Sequence, residues 1–126
     1  MNAEKAVRAR ELQRQQNLAE SLLVELERSQ SGNILYDWLV RSVVEGDTSI
    51  SKAPEYTQDE EAALALMPSL QPWDLRALKH GAWHGEIDGM PARFRAETKA
   101  LALCILAVTN TLAALERQLH RLARKE

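Results

Sequence analysis

The chain has 126 residues, 45% of them hydrophobic and only 5% aromatic, and its formal net charge is −2. This balance is typical of one globular domain and excludes a disordered chain, while the near-neutral charge gives no overall attraction to nucleic acid or acidic membranes. The single cysteine, Cys104, excludes an intrachain disulfide and a zinc site built from several thiolates.

No segment resembles a targeting signal or a membrane span. The N-terminal sequence MNAEKAVRARELQRQQ has no apolar run that could act as a secretory signal. The longest apolar run, Ala100 to Val108, is shorter than the roughly 20 residues that a spanning helix needs. We therefore expect a cytoplasmic protein that does not enter a membrane.

The first half of the chain predicts two helices. Residues 2–30 lack proline and glycine, and apolar side chains recur there at three- and four-residue steps, which indicates one long helix. A second helix is predicted over 34–45, with Asn33 or Ser31 as its N-cap and Gly46 as its end. The polar segment 46–57 is expected to be a mobile internal linker.

Two shorter helices are predicted in the middle of the chain. Thr57 and Glu60 have the spacing of a capping box, so a helix is expected from there to Pro68. Pro72 suits the first turn of a further helix, Trp73 to His80, which Gly81 would end.

The last segment has the most regular pattern. Steps of four and three residues, held over three heptads, indicate a coiled-coil-like seam in one long helix. The seam consists of Leu101, Ile105, Val108, Leu112, Leu115, Leu119 and Leu122. The apolar faces of the first and last helices both narrow toward the chain ends, which predicts antiparallel packing and, because narrow ends would project, a homodimer.

These segments predict an all-α fold, a single domain over residues 1–126 built as a bundle of about five helices. The sequence KHGAWHGEIDGMP, residues 79–91, leaves one alternative open. With Pro91 as its first residue, the long last helix would begin there. Alternatively, Asp88-Gly89 is a favoured two-residue turn for a hairpin over 83–94, which would set Ile87 against Met90. We favour the helix start.

Metal and catalytic sites are not expected. His80 and His84 are four residues apart, as zinc ligands on one helical face would be, but Gly81 and Gly85 argue against a continuous helix. No phosphate-binding, dinucleotide-binding or nucleophile-elbow motif is present, and Cys104 lies inside the apolar run of the last helix. The sequence therefore predicts neither an enzyme nor a cofactor.

Two functions remain. The first is a non-enzymatic protein–protein interaction module that acts as a regulator, adaptor or inhibitor of another protein. The second is a dimeric DNA-binding regulator with a helix-turn-helix-like unit at 58–80, which is less favoured because Asp59, Glu60 and Glu61 would repel phosphates. The candidate partner-binding residues combine aromatic and basic side chains around the glycine-rich stretch. They are Trp73, Arg76, Lys79, His80, Trp83, His84, Arg93 and Arg95.

Overall fold

The computed structural model describes residues 3–69 and 71–124 and has an α+β fold, so the all-α prediction is wrong. In the described part of the chain, four α-helices accompany one three-stranded antiparallel sheet. The elements are α1 (Ala3–Arg28), α2 (Ile34–Glu45), α3 (Glu60–Leu64), β1 (Trp73–Ala77), a 3₁₀ turn (Lys79–Gly81), β2 (Ala82–Ile87), β3 (Met90–Arg95) and α4 (Lys99–Arg124).

The two long helices, α1 and α4, pack antiparallel and carry most of the core. Arg8 near the start of α1 donates a hydrogen bond to Gln118 near the end of α4, with 3.2 Å between Nη2 and Oε1. Every residue from Ala100 to Val108 is buried, because this part of α4 has neighbours on several sides. By length and composition alone α4 could cross a membrane, but this burial is the environment of a core helix.

The alternative at residues 83–94 is resolved in favour of the hairpin, and the predicted helix start at Pro91 is wrong. Asp88 and Gly89 both have positive φ, 53° and 77°, as a type I′ turn requires. Ile87 pairs with Met90, and the ladder continues outward from that pair. The long helix begins only at Lys99.

The predicted helix Trp73 to His80 is also wrong, because residues 73–77 form β1, an edge strand that pairs with β2. The segment WDLRA alternates apolar and polar side chains, which is the period of a strand with one covered face. The second helix of the helix-turn-helix-like unit expected at 58–80 is therefore not formed.

The sheet covers one side of α4 with one of its faces. Gly85 in the central strand permits this close approach, since a Cβ there would lie 2.8 Å from Cδ1 of Leu106. Ile87 and Phe94 on the same face are buried. On the opposite face the side chains are exposed or half-buried, and we call it the open face; it carries Asp74, Arg76, His84, Glu86, Pro91, Arg93 and Arg95.

The connection between α2 and α3 is held by two buried side chains of α2. Arg41, only 5% exposed, donates from Nη2 to the backbone carbonyls of Ser49 and Ser51, each at 2.8 Å. Mobility of segment 46–57 stays a prediction, but these contacts fix a part of it to the helix.

One turn earlier, Asp37 holds the end of the same connection. Its Oδ1 accepts from the Thr57 hydroxyl at 2.6 Å and from the Thr57 backbone N–H at 2.7 Å. The expected capping role of Thr57 is therefore wrong. The N-cap of α3 is Asp59, whose Oδ1 accepts from the backbone N–H of Glu61.

Candidate functional site

The most distinctive arrangement on the surface is a row of basic side chains across the open face. Arg76 of β1 pairs with His84 of β2, which pairs with Arg93 of β3. Directly opposite residues of antiparallel strands have Cα atoms about 4.5–5.5 Å apart, so the three side chains are immediate neighbours. We call Arg76, His84 and Arg93 the basic row.

The basic row is more exposed at its edges than at its centre. The side chain of Arg76 is 67% exposed, whereas that of His84 is 17% exposed because a neighbour flanks it on each side. Arg93 is also exposed. The row therefore presents two exposed guanidinium groups on either side of a half-buried imidazole.

An acidic pair lies next to the basic row, toward the β2–β3 turn. Asp74 and Glu86 face each other across β1 and β2, one step along the same face. Asp74 Oδ2 lies 3.4 Å from Arg76 Nε, and Glu86 Oε1 lies 3.8 Å from His84 Nε2. The exposed Asp74–Arg76 ion pair contributes about 0–1 kcal/mol, so it leaves the Arg76 guanidinium available to a partner.

The other end of the open face is more strongly basic. The 3₁₀ turn places exposed Lys79 and His80 there, and β3 ends there with Arg95. The Arg95 guanidinium approaches the turn closely, since a Cβ on Gly81 would lie 3.3 Å from its Nη2. Within residues 3–69 and 71–124, neither Arg93 nor Arg95 has an ion-pair partner. The open face is thus polarised, with its acids near the hairpin turn and its unpaired cations at the far end.

The two tryptophans predicted as partner anchors lie on the covered face. Trp83 is half-buried against the core, and its indole Nε1 donates to the Ala96 carbonyl at 3.0 Å. Trp73 is 37% exposed at the start of the outer strand β1. The structure therefore brings together Arg76, Lys79, His80, His84, Arg93 and Arg95, and separates Trp73 and Trp83 from them.

The histidines and carboxylates of this region do not form a metal-ligand cluster. In the described ranges, no group of three or more His, Cys, Asp or Glu side chains could hold a metal ion. The His84–Glu86 pair lies on an open sheet surface, whereas general acid–base chemistry needs a pocket that positions a substrate.

Cys104 is placed as a core residue. Its Sγ donates to the Tyr56 carbonyl at 3.2 Å, and burial raises the pKa of the thiol well above its ordinary value. A thiol is nucleophilic only as the thiolate, so this environment disfavours reactivity.

The sequence identified the basic residues but missed their alignment. Reading residues 73–80 as a helix separated Arg76 from the other members of the basic row. The alternation in WDLRA was the signal that could have placed Arg76 on the same face as His84. Comparisons of the chain with protein-family models, with curated proteins and with solved structures give no match.

Proposed function

We propose that this protein is a non-enzymatic interaction module, a regulator, adaptor or inhibitor, which binds an acidic surface of a partner protein on the open face of its sheet. The observation that carries this proposal is the in-register basic row, extended at one end by Arg95. A sheet with one face covered by α4 holds these side chains on a rigid scaffold.

The charge distribution supports an acidic protein partner. Arg76 and Arg93 are exposed and flank His84, and Arg93 has Arg95 on the same face two residues later. Arginine presents paired donors that match a carboxylate, so an acidic partner would gain charge-assisted hydrogen bonds from Arg76 and Arg93.

The acidic pair adds selectivity to this surface. Asp74 and Glu86 would repel a uniformly acidic partner at the end of the face nearest the hairpin turn. A partner with carboxylates at one end of its surface and a basic or neutral group at the other would match the gradient. Such patterns set orientation and exclude other partners more than they raise affinity.

The test uses charge reversal on the open face. The double variant Arg93→Glu, Arg95→Glu is compared with Arg10→Glu, Arg28→Glu, which makes the same change in net charge on exposed positions of α1. A partner captured from the native host is purified, and its Kd is measured with each variant. We expect the open-face variant to weaken binding by about tenfold or more, equivalent to about 1.4 kcal/mol, and the α1 variant to bind normally. Equal weakening by both variants would place the interface elsewhere.

A DNA-binding function is the second candidate, because β-sheets can enter the major groove and this sheet carries arginines on its open face. The acidic pair on that face and the net charge of −2 weigh against it. Mobility shifts over a salt series separate the two functions. DNA binding predicts a steep loss of affinity with salt that becomes shallower in the Arg93→Glu, Arg95→Glu variant.

The expected homodimer also belongs to this proposal. Val7 is 62% exposed near the N-terminal end of α1, where a second copy could cover it. Sedimentation equilibrium of the wild type and of Val7→Ser tests it, because replacing the valine would weaken a dimer formed there and the variant would already dissociate at a higher protein concentration than the wild type.

A further inference from the structure

A second surface lies where α4 extends beyond the sheet. Leu106 packs under Gly85, and the same face of the helix continues at steps of three and four residues. Its next members are Asn110, Ala113, Arg117, Arg121 and Arg124. The helix face that the sheet covers at Leu106 therefore becomes uncovered and basic toward the C-terminal end of α4.

The tip of the β2–β3 hairpin forms the opposite wall of this surface. Two adjoining cavities, about 100 and 560 Å³, lie between the tip and α4 and share Met90, Ala113 and Arg117 in their linings. The smaller cavity has apolar side chains in its floor, among them Ile87 and Leu106. We call the combined depression the α4 groove.

Met90 is the most prominent apolar residue of the α4 groove. Its side chain is 63% exposed at the start of β3, although its backbone pairs normally with Ile87. An exposed apolar side chain beside a cavity offers contact area to an apolar group of a ligand.

Within residues 3–69 and 71–124, no carboxylate pairs with the arginines on the basic side of the groove. Among the described residues, Arg117, Arg121 and Arg124 have no ion-pair or hydrogen-bond partner, and Glu116 is the one carboxylate in the groove lining. Cations in the last turn of a helix complement its dipole, which accounts for Arg121 and Arg124. Arg117 lies one turn further in, so the dipole does not explain its position.

We propose that the α4 groove binds an acidic amphipathic segment of a partner protein. One apolar side chain of that segment enters between Met90 and Ala113, and its flanking carboxylates pair with Arg117 and Arg121. This occupant satisfies both properties of the groove, its apolar floor and its unpaired arginines. A nucleic acid would satisfy the arginines alone and would leave the apolar floor without a matching group.

This inference stands apart from the proposed function. The α4 groove lies on the covered side of the sheet at the hairpin tip, whereas the basic row lies on the open face, with Lys79, His80 and Arg95 at the end away from that tip. The two surfaces can therefore be changed separately.

The test begins with peptide display against the full chain. We expect the selected peptides to carry Asp or Glu around a Leu, Phe or Trp. A selected peptide, labelled with a fluorophore, is then titrated with the wild type and four variants, and its Kd is measured by anisotropy. The two groove variants are the double variant Arg117→Ala, Arg121→Ala and the single variant Met90→Ser. The other two are the open-face variant Arg93→Glu, Arg95→Glu and the control Arg10→Ala, Arg28→Ala. Alanine keeps helix propensity, and far-UV circular dichroism verifies folding of each variant.

The groove variants should each weaken peptide binding about tenfold, and the control should not change it. If Arg93→Glu, Arg95→Glu abolishes peptide binding while the groove variants retain it, the peptide sits on the open face and the groove inference is overturned, with the proposed function intact. If a DNA duplex displaces the labelled peptide at a lower concentration than the unlabelled peptide does, the groove inference is overturned in favour of nucleic acid. Self-association of the wild type that is lost in the groove variants identifies a second copy as the occupant and likewise overturns it.

Discussion

Asp37 should be among the residues whose truncation costs this protein the most stability. The side chain is 2% exposed and accepts three short hydrogen bonds, two from Thr57 and one from Gln58 Nε2 at 2.6 Å. Asp37→Ala leaves the buried backbone N–H of Thr57 without a partner, which alone costs about 1–3 kcal/mol. With the other hydrogen bonds lost, we expect the free energy of unfolding to fall by about 3–4 kcal/mol.

Asp37→Asn isolates the contribution of charge. The asparagine oxygen can still accept both Thr57 hydrogen bonds, and the exposed Gln58 amide can rotate to accept from the new NH₂ group. We therefore expect a loss of only about 1–2 kcal/mol, because neutral hydrogen bonds are weaker than charge-assisted ones.

Urea unfolding followed by far-UV circular dichroism measures both effects. The matched control is Asp74→Ala, whose carboxylate is 58% exposed and makes a surface ion pair, and which should change stability by less than about 1 kcal/mol. The reasoning would be refuted if Asp37→Ala stayed within about 0.5 kcal/mol of the wild type, or if the asparagine variant lost as much stability as the alanine variant.

Three further predictions concern other close contacts in the core. Gly32→Ala should destabilise the protein by about 1–3 kcal/mol in urea unfolding, because the added Cβ would overlap the Thr57 carbonyl. Cys104 should react with Ellman's reagent more than about 100-fold slower in the folded protein than in guanidinium, since burial raises the pKa of its thiol; equal rates would contradict its core placement. Burial and the hydrogen bond to Glu45 raise the pKa of Tyr56 to about 12, above its ordinary value near 10. This raised pKa stabilises the fold below pH about 10, and that contribution is lost as pH rises to about 12; the urea midpoint of Tyr56→Phe should therefore fall less over this interval than that of the wild type.

Helix α2 was predictable from the sequence, because both its N-cap residue and the glycine that ends it can be recognised there. The expected bounds 34–45 are those of α2, where Asn33 Oδ1 accepts from the Tyr36 backbone N–H at 2.8 Å. Gly46 ends the helix with φ of 70°. Both determinants lie within a turn of the helix end that they fix, so no distant part of the chain is needed to recognise them.

The sheet was harder to predict because two prolines fit helix starts. Pro72 and Pro91 both suit the first turn of a helix, and the residues after Pro91 are good helix formers. In the structure, the segments on either side of Asp88-Gly89, in which covered and open-face side chains alternate, pair as β2 and β3. A third strand, β1, pairs with β2 of that hairpin. Pairing between segments separated in sequence outweighs local helix propensity here.

The contacts of Arg41 and Asp37 could not be inferred at all from local pattern. Both residues lie in a helix whose sequence explains its formation without them, and their partners are 8 to 21 residues away. The basic row has the same character, since its alignment depends on the register of three strands. The sequence therefore predicted which basic residues lie near the site. Which of them are neighbours could be known only from the pairing of the strands in the folded protein.

Pro91 also has a consequence for how this sheet meets other chains. In a two-residue hairpin, the pair next to the turn exchanges both hydrogen bonds, so Ile87 and Met90 do so and the backbone nitrogen of Pro91 is directed to the free edge of β3. Proline has no N–H, and exposed Arg93 and Arg95 follow on the same strand. A strand that approached this edge would lack one backbone hydrogen-bond donor, at Pro91, and would meet the charged side chains of Arg93 and Arg95. This edge is therefore a poor template for aggregation, and the sheet could be extended only beside β1.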